Sequence, residues 1–230
     1  MIKAVVFDLD GTLYDYDTAH AKGYHSLQMY AIDNLNLSVS EFDKLYDSTM
    51  AQIEKELGSG CVAIHDRSLR FQRMLENSGK SLRHALPMTK AYWDVFLDSI
   101  QANPGIYEAI SWLKSSGYTI GIGTNMTIEY QLRKLDKLNM SGDFDFIVSS
   151  EETQIEKPAK ELFECCSRKA GCLPEECLFI GDNYKMDVIG SRNAGFRSLL
   201  FSKKPAEEQH ISDFRELKQI LPDRIQVDNR

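Results

Sequence analysis

Short segments that are apolar almost throughout recur along the chain, at residues 2–7, 118–123, 144–148, 177–180 and 198–201. A strand with one wet face alternates apolar and polar residues. A strand without that alternation is covered on both faces, as in a parallel sheet sandwiched between helices. Helical stripes fall between these segments. Ile106, Ala109, Ile110 and Leu113 keep one face, with Gly117 as a stop. Ile128, Leu132, Leu135 and Leu138 form a second stripe, and Leu162, Phe163 and Cys166 a third, with Pro158 placed to open that helix. Strands alternating with helices predict a doubly wound α/β fold. Phe214, Leu217 and Leu221 predict a short closing helix, with Asp213 and Glu216 as a capping box.

Residues 17–103 break the pattern and contain no convincing strand. Phe42, Leu45, Tyr46, Thr49, Ile53 and Leu57 form a helical stripe, as do Trp93, Phe96, Leu97 and Ile100. Gly58-Ser59-Gly60 and Gly79-Lys80-Ser81 read as turns. The expected organisation is an α/β core of residues 1–16 and 104–230 carrying an all-helical insertion of residues 17–103. Its hinges are expected near residues 14–17 and 103–105.

The polar residues at the strand ends carry the chemical information, because ligands of open α/β sheets bind at the carboxyl ends of strands. The first apolar segment stops at Asp8, followed by Asp10 and Gly11. Two carboxylates at a turn suit a hard cation, though either could simply cap the turn. The second leads into Thr124-Asn125, which could hold a phosphate on a hydroxyl and backbone N–H groups or serve as a helix cap. Lys157 precedes the third core helix and reads equally as a point charge for the site or as a surface lysine. The fourth segment ends at Gly181-Asp182, with Asp187 following.

Taken in order, Asp8-Leu9-Asp10-Gly11-Thr12-Leu13, Thr124-Asn125, Lys157-Pro158 and Gly181-Asp182-Asn183-Tyr184-Lys185-Met186-Asp187 make the chain resemble the haloacid dehalogenase-like (HAD) hydrolase superfamily. The likeness spans the whole chain and matches the phosphatase branch, which inserts a helical cap after its first motif. It implies a Mg2+-dependent reaction in which Asp8 attacks phosphorus to give an aspartyl-phosphate. Asp8, the Asp10 backbone carbonyl and Asp182 would hold the metal, with Asp187 orienting its surroundings. Lys157 would neutralise Asp8 and the phosphoryl group, which Thr124 and Asn125 would bind. Asp10 would be general acid and then base, with neighbouring negative charge on Asp8 and the phosphate pushing its pKa up and the metal opposing that, a balance the sequence leaves open. Dehalogenases of the superfamily lack an aspartate at the Asp10 position, so its presence favours phosphoryl chemistry.

The substrate class so implied is a small phosphate monoester, such as a nucleoside monophosphate or a sugar or sugar-acid phosphate. A phosphoglucomutase-like mutase and a non-catalytic binding module are the alternatives on this scaffold. A phosphonate hydrolase would need a cap lysine, and nothing singles out Lys22, Lys44 or Lys55. The cap is expected to close over the site. Within it Arg67, Arg70 and Arg73, near His65 and Lys80, form either an anion-recognition patch or a solvated helix face. Tyr14, Tyr16 and His20 line an entrance or pack a hinge. The net charge of −7 without a basic block argues against nucleic-acid binding. No run of apolar residues is long enough for a membrane span, and no signal-peptide pattern opens the chain. The five cysteines contain no Cys-x-x-Cys pair and read as reduced thiols of a cytoplasmic protein.

Overall fold

The computed structural model describes residues 1–58 and 60–223. The turn expected at Gly58-Ser59-Gly60 therefore lies partly outside the described residues. In chain order the elements are β1 (Ala4–Phe7), α1 (Tyr16–Leu35), α2 (Val39–Leu57), α3 (Arg67–Asn77), α4 (Ala85–Asp98), α5 (Ile106–Ser115), β2 (Thr119–Thr124) and α6 (Ile128–Lys137). There follow β3 (Phe146–Ser149), α7 (Ser150–Thr153), α8 (Lys160–Ala170), β4 (Cys177–Gly181), a π-helical turn (Tyr184–Ile189), α9 (Gly190–Asn193), β5 (Arg197–Phe201), β6 (His210–Ile211) and α10 (Leu217–Ile220).

The chain forms two compact units, one of Met1–Asp15 with Gln101–Arg230 and the other of Tyr16–Ile100. Gln101 to Asn103, expected in the insertion, group with the first unit. Asn103 is buried there, its amide donating to the Gly11 and Thr12 carbonyls.

The first unit is built on a parallel six-stranded sheet in the order β3-β2-β1-β4-β5-β6. Chain order runs outward from β1 to β3 on one side and resumes at β4 on the other. The switch point is therefore the β1/β4 pair, whose carboxyl ends lead to Asp8 and Asp182. Both central strands are buried along their length, which accounts for their unbroken apolar runs. Val6, Phe179, Phe163 and Phe196 meet in one cluster, with the Phe163 and Phe179 rings edge to face at 4.9 Å.

Several sequence-based expectations shift. β3 begins at Phe146 rather than residue 144, because Asp145 turns back to accept from the Ile120 N–H while Phe144 packs its ring on Phe7. β6 is new: two residues cannot show a pattern. Pro158 does not open α8; Ala159 is the N-cap and the helix starts at Lys160. On α6 the buried face carries Gln131, Lys134 and Leu135, while Leu132 is exposed. The apolar stripe misjudged that face because polar partners await Gln131 and Lys134 inside. The Asp213–Glu216 capping box is present ahead of α10.

The second unit consists of α1 to α4. Ala19, Gly23, Leu27, Ala31 and Leu35 make a buried stripe of i, i+4 spacing on α1. Met88, Tyr92, Trp93 and Phe96 do the same on α4. Ser38 and Glu41 close a capping box on α2, and Asp66 caps α3 through the Ser68 and Leu69 N–H groups.

Candidate active site

β1 delivers Asp8 at its carboxyl end, where its backbone N–H still donates to the Ile180 carbonyl of β4. β4 delivers Asp182 one residue past its own end, and the π-helical turn returns Asp187. One carboxylate oxygen from each of Asp8, Asp182 and Asp187 lies within 4.8 Å of the others. Such crowding requires glycines. A Cβ on Gly11 would stand 2.4 Å from an Asp182 oxygen, and one on Gly181 would stand 2.3 Å from the Asp187 carboxylate. Gly11 also has φ +86°, in the left-handed region.

Lys157 reaches into this group. Its ammonium is 2.6 Å from Asp8 Oδ1 and 2.7 Å from Asp187 Oδ1, with its side chain 3% exposed. A lysine buried this deeply is a paired charge, and the surface reading fails. Asn125 braces its backbone: the Asn125 side-chain oxygen accepts from the Lys157 N–H at 2.9 Å. Thr12 is fully buried and joins the two central strands. Its hydroxyl accepts from the Asp182 N–H and lies 3.3 Å from Asp8 Oδ2 and 3.1 Å from Asp182 Oδ1. With one proton, it serves one carboxylate at a time.

The electrostatics follow from these contacts. Burial first, then Asp187 and Asp182, push the Asp8 carboxyl well above the usual carboxylate range, with Lys157 opposing. Burial and then Asp187 push Asp182 up to about 6. Burial works against the Lys157 charge, but Asp187 and Asp8 outweigh it and raise its pKa. Three carboxylates against one ammonium leave an excess of two negative charges when all are ionised. An all-oxygen donor set with that excess fits a hard divalent cation such as Mg2+. Asp8, Asp182 and Asp187 are the side chains that would hold it. Asp187, expected to orient the metal's surroundings, stands inside the cluster.

Asp10 points its carboxylate elsewhere. Lys134 of α6, its side chain fully buried, lies 2.7 and 2.8 Å from the two Asp10 oxygens. The Tyr14 hydroxyl also donates to Asp10, and Gln131 Nε2 is 3.2 Å away. Tyr14, expected at an entrance or hinge, is thus a fully buried part of the site. The same Gln131 amide is 2.7 Å from the Thr124 hydroxyl, and the Gln131 oxygen accepts from Lys134 at 2.7 Å. Burial alone would raise the Asp10 carboxyl, but Lys134, then Tyr14 and Gln131, hold it below its ordinary value. The sequence-based balance weighed Asp8, the phosphate and the metal against one another and did not count this lysine. Gln131 and Lys134 are the site residues that sequence reading missed. Their one visible signal was two polar residues three apart on the inner side of a helix.

The arginine row of the second unit also divides. Arg73 pairs with Glu56 and Glu76, as a solvated face would. Arg67 is buried at 4% exposure, and Arg70 donates to the Ile64 carbonyl. Tyr16 and His20 stack at 5.5 Å within that unit.

A Rossmann-like parallel sheet with carboxylates at its switch point and a buried lysine among them defines a class, and comparison with known proteins agrees. The family model for haloacid dehalogenase-like hydrolases matches residues 2–195, so the chain belongs to that family. Within it the chain stands with the phosphatases. It is 32% identical to the ribulose-1,5-bisphosphate 5-phosphatase of Halopiger xanaduensis, over 93% of this chain and 89% of that protein. It is 30% identical to the glyceraldehyde 3-phosphate phosphatase of Methanothermobacter thermautotrophicus, over 96% of this chain and all of that one. Among solved structures, a HAD phosphatase from Thermococcus onnurineus superposes with a TM-score of 0.78 at 21% identity, covering 96% of this chain and 99% of that one. This last likeness speaks for the fold. Among the described residues no helix is long and apolar enough to cross a membrane, and no disulfide joins the cysteines.

Proposed function

We propose that the chain hydrolyses small sugar or sugar-acid phosphate monoesters with Mg2+, through an aspartyl-phosphate on Asp8. The carrying observation is the cluster of Asp8, Asp182, Asp187 and Lys157, buried except for Asp182, whose two excess negative charges call for a divalent cation. The activities for which the relatives are named, on ribulose bisphosphate and glyceraldehyde 3-phosphate, point the substrate toward short sugar phosphates rather than nucleotides.

Bound at these carboxylates, the metal would supply charge to draw the phosphate dianion toward an anionic nucleophile. The remaining work belongs to the chain. Asp8 Oδ2, beside Thr12 and away from Lys157, attacks phosphorus. Lys157 holds the other Asp8 oxygen and fixes the carboxylate plane. Thr124 and the Asn125 region bind phosphoryl oxygens, and Gln131 orients the Thr124 hydroxyl. Asp10, held ionised by Lys134, is the acceptor for a proton carried in by the ester's monoanion, whose second pKa is about 6. It passes that proton to the departing alkoxide, then takes one from the water that splits the aspartyl-phosphate. The helical unit, in this reading the cap, selects the leaving group.

The test is p-nitrophenyl phosphate with Mg2+ and with EDTA, followed by kcat/KM over a panel of phosphorylated sugars and sugar acids. Metal-dependent phosphate release is expected, highest on the short sugar phosphates. Interconversion of sugar phosphates without phosphate release would instead establish a mutase, and no turnover at all would sink both readings.

A further inference from the structure

Arg67 is a buried cation of the helical unit with no carboxylate partner among the described residues. Its guanidinium is buried, with one NH2 group toward the Tyr16 and Tyr92 hydroxyls at 3.3 and 3.4 Å and the other donating to the His65 carbonyl at 3.1 Å. It lies over the Tyr92 and Trp93 rings at 5.1 and 5.7 Å. Its Nε has no hydrogen-bond partner. Arg70, one turn on along α3, interacts with the Ile64 carbonyl and the Tyr46 hydroxyl. Among the described residues no carboxylate pairs with either arginine. Ring faces, hydroxyls and carbonyls offset part of the cost of burial, but none brings a formal negative charge.

We propose that Arg67 and Arg70, with the Tyr16, Tyr46 and Tyr92 hydroxyls, form a binding site for an oxyanion, a phosphate or a carboxylate. The residues come from all four helices of this unit: Tyr16 and His20 from α1, Tyr46 from α2, the arginines from α3 and Tyr92 from α4. Tyr16, His20, Tyr46 and Arg70 are each partly exposed, while Arg67 is buried among them. The neighbouring imidazole reports the unbalanced field. Burial, then Arg67 and Arg70, hold His20 down to about 4, with Asp17 the acidic residue opposing them. Guanidinium geometry favours planar or tetrahedral oxyanions that accept two parallel hydrogen bonds. The anion has two sources: the non-reacting phosphate or carboxylate of the substrate, or free inorganic phosphate. The first rests on the phosphatase reading above; the second does not.

The experiment has two arms on the full chain. In the first, the His20 ring resonances are followed by NMR while inorganic phosphate, and then 3-phosphoglycerate, is added. A saturable shift in wild type, lost in Arg70→Met, is expected; an unmoved His20 with both probes overturns the proposal. In the second, kcat/KM is compared for 3-phosphoglycerate and glycerol 3-phosphate, which differ by a carboxylate against a hydroxymethyl group. If the substrate is the source, Arg67→Met and Arg70→Met each lower that ratio by about 10- to 150-fold, the worth of one hydrogen bond to a charged group. A saturable His20 shift with phosphate and an unchanged ratio assigns the site to the free anion. Should neither ester be hydrolysed, the phosphatase reading fails and the His20 arm alone decides the site. Arg70→Met, at a partly exposed position, keeps the test open if Arg67→Met does not fold.

Discussion

Lys134→Met removes the cation that faces Asp10 while keeping most of the side chain's bulk. Removing one partner of a buried ion pair costs about 3–5 kcal/mol, because the other charge is left unpaired. The Asp10 side chain retains 25% exposure, so water offsets part of the loss and the lower end, about 3 kcal/mol, is expected. Asp10→Asn strands Lys134, whose side chain is 0% exposed, and falls nearer the upper end. The double variant leaves neither charge, and its cost is expected to fall below the two single costs together by about 3 kcal/mol. Urea melts at pH 7 measure all three, with an unchanged m-value as the condition that the same transition is followed. The pH dependence has a definite sign. A carboxyl whose folded pKa is lowered stabilises fully above its unfolded value, about 3.9. That contribution is lost as pH falls from there through the folded pKa. The wild-type advantage over Lys134→Met should therefore be full at pH 6 and shrink below about pH 4. Single costs that add within about 0.5 kcal/mol would refute the pairing as an energetic unit.

Three further outcomes follow from the carboxylate cluster. Asp8→Asn should leave a folded protein that forms no acid-labile phosphoprotein when mixed with substrate and quenched; a labelled Asp8→Asn protein contradicts the nucleophile assignment. Because Asp8 and Asp182 are raised in the fold, the metal-free protein binds extra protons relative to the unfolded chain and should lose stability as pH rises from about 4 toward 8. Mg2+ at a hundredfold its Kd should restore about 2.7 kcal/mol, roughly 5–11 °C in Tm, and its affinity should increase over the same pH range. Gly181→Ala drives a Cβ into Asp187 and should weaken Mg2+ binding by about 10- to 100-fold, read by calorimetric titration, with Asp8 chemistry still detectable at saturating metal.

The sheet was legible because its strands are buried on both faces, and a continuous apolar run leaves few other homes. The site residues Asp8, Thr124, Lys157 and Asp182 were legible for the opposite reason, as polar residues where those runs stop. The errors share a cause. Leu132 was placed inward on α6, although Gln131 and Lys134 occupy that face, because periodicity counts apolar atoms and is blind to a partner 124 positions away in sequence. Arg67 was read with Arg70 and Arg73 as one row, although three-residue steps around a helix carry it into the interior while Arg73 stays with Glu56 and Glu76. Polar burial is a property of pairs, and only the fold brings the pairs together.

One turn of α6 carries both the amide that grips Thr124 and the ammonium that grips Asp10, and the two are bonded to each other. In the proposed mechanism, the hold on the phosphoryl group and the handling of the leaving group's proton would therefore be mechanically geared. A change that rotates or shifts this helix cannot retune one without detuning the other. For anyone redesigning the enzyme toward poorer leaving groups, Gln131 and Lys134 form a single adjustable part, and productive variants should arise as coordinated replacements at both positions.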